Sequence, residues 1–197
     1  EDHFQPILYL LAPLYWIWED VRVILIAQSF AMVFAGFPLY LLGKEVSKNK
    51  FFSFSIVFAY LFFIGTQFAI LNEFHQVTFA PIFIATAYLA LQRKNLKLLF
   101  LAIFLLLITK EDLALLVSTI GLGLILKKEY RKIGFLIATI GIAFFFFIVY
   151  IFIPLIAVKG VYPHFHFGAS GKTPFEIVAK SITDPLYFLH SMIYPNI

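Results

Sequence analysis

Apolar residues run almost unbroken over about residues 21 to 43, 51 to 71, 77 to 92, 96 to 109, 112 to 126 and 133 to 158, with short polar breaks between the runs. Crossing hydrocarbon takes roughly 20 such residues, so the pattern predicts an all-α, polytopic membrane bundle of about six segments. At 1.5 Å per residue the first, second and last runs can span a core of about 30 Å. The runs 96 to 109 and 112 to 126 each reach only about 20 Å. Between them "LITKEDLALL" (107 to 116) sets Lys110, Glu111 and Asp112 in a stretch otherwise apolar from Leu96 to Leu126. The two short runs are either the legs of a helical hairpin with the triplet at its tip or one long helix with the triplet inside it.

Loop charge separates these choices. The clusters "KEVSKNK" (44 to 50), "RKNLK" (93 to 97) and "KKEYRK" (127 to 132) hold ten of the fifteen Lys and Arg, which predicts a cytoplasmic position for all three. A single helix over 96 to 126 would put two of these clusters on opposite membrane faces. The hairpin satisfies both, and its tip then points outward, recessed because the legs are short. The same topology places all five His and nine of the eleven carboxylates at or beyond the outer boundary. Any chemistry is therefore expected to face outward.

Composition agrees. Charged residues make up 13% of the chain, against about 25% in a soluble domain, and mean hydropathy is +0.94. The absence of cysteine excludes disulfides and thiolate metal sites. The chain opens "EDHFQPILYL" without an initiator Met and reads as a piece of something longer. It is expected to form a single transmembrane domain over 1 to 197. Within it, 1 to 20 form an outer interfacial helix made irregular by Pro6 and Pro13, 21 to 158 the membrane segments, and 159 to 197 an outer loop with the start of a further segment.

Candidate chemistry follows from the polar residues. A charge at mid-membrane costs about 2.5 to 3.5 kcal/mol, so the triplet should face protein or a water-filled cleft. Lys110 can neutralise one carboxylate, leaving the other to accept from a metal, a cation or a substrate hydroxyl. The triplet also suits helix ends, Lys110 closing one helix and Glu111 and Asp112 opening the next. In "LNEFHQ", Glu73 and His75 are placed to share a metal ion or a proton, or simply form a polar interfacial turn. Asp2 and His3 are a further acid and imidazole pair. In "VKGVYPHFHFGASGKTPFE", His164 and His166 stand at i and i+2, amid aromatic residues that suit an interfacial loop, with Lys159 and Lys172 as phosphate contacts. The "GLG" at 121 to 123 lies in an apolar run and suits close helix packing. No phosphate-binding loop, zincin helix or nucleophile elbow occurs.

Four stretches, "HFQPILYLLAPLY" (3 to 15), "NEFHQVTFAP" (72 to 81), "ITKEDLALL" (108 to 116) and "YPHFHFGASG" (162 to 171), resemble in order and spacing the DUF2079 family of predicted prokaryotic membrane proteins. The architecture is in turn similar to the C-type (GT-C) glycosyltransferases, which use polyprenyl-phosphate sugars at the outer membrane face. That resemblance implies a transferase in a prokaryotic cytoplasmic membrane, with the bilayer and a lipid-linked sugar as partners and no nucleic acid. It implies Asp2, Glu111 and Asp112 as catalytic carboxylates, with the helix that precedes the base in such enzymes lying upstream of residue 1. Lys110, His3, Glu73, His75, Lys159 and Lys172 would bind substrate, Arg22 would join the phosphate contacts, and Glu73, His75 and Asp112 would hold a divalent metal. The reading from another class is a secondary transporter or channel with an intramembrane Lys-Glu-Asp relay.

Overall fold

The computed structural model describes residues 3–157 and 174–193, which are helical with no strand among them. They fall into two compact units, His3–Ile148 and a smaller one that includes Val149–Ile197. In the first unit two short helices, α1 (Ile7–Leu11) and α2 (Leu14–Ile17), precede α3 (Arg22–Ser47), α4 (Lys50–Phe62), α5 (Ile64–Leu71), α6 (Gln76–Gln92), α7 (Leu96–Leu107) and α8 (Leu113–Ile125). A long helix, α9, follows over Lys128–Ile156. In the second unit α10 (Pro174–Thr183) packs on α11 (Pro185–Ile193).

Each of the six apolar runs thus coincides with helix. Two helices, α3 with 26 residues and α9 with 29, are long and apolar enough to cross a membrane, and α4 with α5 makes a third if the bent pair is one span. Helices α6, α7 and α8 are apolar and shorter.

The run expected to be a straight segment over 51 to 71 bends by 51° at Phe63, whose ψ of 131° is extended. The Phe63 ring folds back into the space a side chain at Gly65 would fill, and the Gln67 amide donates to the Leu61 carbonyl left without a helical partner. The N-terminal segment is likewise two short helices rather than one, with Pro13 at the junction.

Two turns share a design that the sequence spells as Lys-Asn. Lys48 and Lys94 each adopt φ 54°, the left-handed conformation that ends a helix. Asn49 and Asn95 then cap the next one, their side chains accepting from Phe52 N–H (3.2 Å) and Leu98 N–H (3.1 Å). The core lies among α6, α7, α8 and α9, where Leu99, Ala102, Leu106, Ala114, Val117 and Ile137 are fully enclosed. Without a hydrophobic drive between helices in lipid, contact depends on close approach. Gly121 abuts the Ala138 backbone and Gly141 abuts Ala114, which fixes α8 and α9 antiparallel. Gly123, by contrast, faces open space, so only part of the "GLG" serves packing.

These pairings carry the three basic breaks to one end of the unit. Arg93 bridges Glu45 (2.6 Å), Lys94 bridges Glu129 (2.8 Å), and the Tyr130 hydroxyl donates to the Leu91 carbonyl (3.1 Å). The N-terminal arm, the break at 72–75 and the turn at 108–112 gather at the other end.

Candidate functional site

The arm is fixed first by its backbone. The Ile7 N–H donates to the Ile108 carbonyl (2.9 Å), one of those a helix leaves unpaired at its C-terminus. Ile7 is 2% exposed and packs with Ala31 and Phe79, while the Phe4 ring meets Phe144 edge-on at 5.6 Å. Thr109, fully enclosed, returns its hydroxyl to the Leu105 carbonyl (2.6 Å) and starts the turn. Glu111 follows on the inner side of that turn.

Glu111 is 1% exposed. One carboxylate oxygen lies 2.6 Å from His3 Nδ1, and the other accepts from the Phe4 N–H (3.1 Å). A carboxylate buried this deeply is tolerable only when hydrogen-bonded, and the short imidazole contact has the length of a charge-assisted bond. Nδ1 is thus the ring nitrogen that faces the carboxylate. His3 is itself about one-quarter exposed.

The charged triplet therefore divides. Glu111 turns inward to the arm, whereas Asp112 is more than half exposed and lies 3.5 Å from Lys110 Nζ. Asp112 occupies the N-cap position of α8 but makes no side-chain capping bond there. Lys110 thus stands beside one carboxylate of the triplet, while the other accepts from the arm.

Glu73 and His75 pair at 3.6 Å, both well exposed, on the break that leads into α6. Among the described residues no group of three or more His, Cys, Asp or Glu could hold a metal ion. Glu73 stands beside His75 and Asp112 beside Lys110. Arg22 is also engaged nearby: Nη2 and Nε donate to the Asp20 carboxylate at 2.8 and 3.0 Å, and the guanidinium lies over the Trp18 ring. That cation holds the Asp20 carboxyl down to about 2, below the usual carboxylate range. Asp2, Lys159 and Lys172, with His164 and His166, lie outside the described residues.

Gln28 is a residue the sequence reading missed. Fully enclosed on α3, it donates to the carbonyls of Ala69 (2.9 Å) and Glu73 (3.4 Å) and accepts from the His75 N–H (2.8 Å) and the Thr78 hydroxyl (3.3 Å). It ties the break at 72–75 to the same end as the arm. Its signal was visible as the only amide in "RVILIAQSFAMVF", since a lone polar residue in a buried apolar helix needs partners elsewhere.

The profile of one protein family, described as "Predicted membrane protein (DUF2079)", matches residues 1–196. No curated protein and no solved structure matches the chain.

Proposed function

From the premise that the chain belongs to the DUF2079 family of predicted membrane proteins, we propose that it forms part of a glycosyl-transferring enzyme with the Glu111–His3 dyad as its general base. The observation that carries this reading is the fully enclosed carboxylate fastened to an imidazole 108 positions away in the chain. Such an acid orients the ring and stabilises its charged form, so the imidazole can take a proton it would otherwise hold weakly. The donor would be a polyprenyl-phosphate sugar at the extracytoplasmic face. As the acceptor hydroxyl oxygen bonds to the anomeric carbon, its proton passes to His3 Nε2. The bond from that carbon to the phosphate oxygen breaks, and polyprenyl phosphate leaves. Lys110 would meet that phosphate. Asp112, Glu73 and His75 would shape the acceptor side of the cleft.

The test uses the complete protein in proteoliposomes with a polyprenyl-phosphate sugar and follows sugar transfer and donor binding separately. His3→Asn keeps a donor near the Nδ1 position but removes the base, and Glu111→Gln removes the charge. Each should lower transfer by about a hundredfold, the size of a general-base contribution, while donor binding holds. Full transfer by His3→Asn would sink the proposal.

One observation favours a second reading. The break in α4–α5 is the kind of interrupted helix that transporters use, and the same dyad could relay a proton. Proton uptake that needs Glu111 but no lipid-linked sugar would establish it instead.

A further inference from the structure

At the basic end a cavity of about 390 Å³ opens between α3, α6 and α8. Its volume falls in the range of small-ligand cavities, about 300 to 1,000 Å³. Its walls are mixed in character. Leu42, Tyr88 and Ile120 give an apolar body, and Gln92, Lys127 and Tyr130 stand around its polar mouth. Gly123 lines it, and a side chain there would enter empty space.

The electrostatics of the mouth are one-sided. Glu45 and Glu129, the carboxylates within the three basic breaks, are already bridged to Arg93 and Lys94. Lys127 and Lys128 have no carboxylate partner among the described residues, and Arg131 reaches only the Ile125 carbonyl (3.4 Å). A slot with an apolar floor, amide and phenol groups at its rim and an uncompensated ammonium above has the profile of an amphiphile with a negative head.

We propose that the cavity between α3, α6 and α8 binds one anionic phospholipid, an acyl chain lying along Leu42, Tyr88, Ile120 and Gly123 and the phosphate at Lys127. Charge complementarity selects this occupant over a neutral lipid, because Lys127, the one cation lining the cavity, has no carboxylate partner among the described residues. The site is distinct from the His3–Glu111 dyad and does not depend on the function proposed for it.

The test titrates the complete protein, in mixed micelles, with phosphatidylglycerol or phosphatidylcholine and counts bound lipid by native mass spectrometry. Wild type should hold one phosphatidylglycerol at least tenfold more tightly than phosphatidylcholine. Gly123→Leu, whose Cβ meets nothing within 4 Å, should lose retention of both lipids by about tenfold. Lys127→Gln, on an exposed residue, should remove only the preference for the anionic head. Equal binding of the two lipids by wild type would overturn the proposal, as would undiminished phosphatidylglycerol retention by Gly123→Leu. Displacement by soluble glycerol phosphate at the lipid's own concentration would also overturn it, since a headgroup alone would then suffice.

Discussion

The two ends of the His3–Ile148 unit use polar residues in opposite ways. At the basic end the charged pairs are local in space but exposed: Arg93 is 44% and Lys94 71% accessible, and their carboxylate partners are 31% and 58% accessible. At the other end Glu111 and Gln28 are enclosed, and each joins segments far apart in the chain. Exposed ion pairs contribute little to stability and are screened by salt, whereas a buried polar group deprived of its partner costs its full desolvation. The contrast teaches that the exposed charges are cheap to lose, while the few enclosed polar groups hold distant segments together.

The strongest way to break the comparison asks whether the ends face opposite sides of the membrane. The 197 residues contain no cysteine, so single replacements act as clean reporters. With the orientation proposed from loop charge, Lys48→Cys and Lys128→Cys should be labelled by an impermeant maleimide only after the cytoplasmic side is opened, and Glu73→Cys only from outside. Labelling of all three from one side would remove the topology and the outward-facing site with it.

Next in size is the difference between enclosed and exposed groups. Gln28→Leu fills similar volume but removes the partner of the His75 N–H and of the Ala69 carbonyl. It should cost about 2 kcal/mol in SDS-titration unfolding. Arg93→Ala, at the basic end, should cost less than about 1 kcal/mol and still less in high salt. Equal losses would erase the distinction between the ends.

Element positions were legible because they rest on local signals: apolar runs of near-spanning length and the two Lys-Asn breaks, where a left-handed Lys stops one helix and an Asn starts the next. The split at 108–112 was legible through charge, since the hairpin alone keeps the basic breaks together, and the Arg93–Glu45 and Lys94–Glu129 bridges bring those breaks to one end. The bend at Phe63 was not legible, because it depends on an aromatic ring folding over Gly65 rather than on a Pro or a polar break. The sequence named both Glu111 and His3, yet paired His3 with Asp2 and Glu111 with its neighbours. Spacing along a chain cannot show a contact made by an arm that docks through Ile7 onto the end of another helix. Gln28 was passed over for a related reason: one amide among apolar residues looks like noise until the groups it satisfies are in view.

The smallest effect comes from a pair on the dyad's side that behaves like the basic end. Asp20 and Arg22 are joined by a bidentate bridge, but Arg22 is exposed and Asp20 only partly enclosed, so the pair is not costly to lose. Because Arg22 lowers the Asp20 carboxyl from 3.8 to about 2, the folded state holds that proton less tightly than the unfolded chain. The pair's contribution is therefore complete above pH about 4 and fades as pH falls toward 2. Asp20→Asn should flatten this small acid-side slope and leave stability at pH 7 nearly unchanged, measured by the same titration at both pH values. A large loss at pH 7 would mean that burial is not what separates the two classes of polar group, and that position at the end opposite the basic breaks matters in itself.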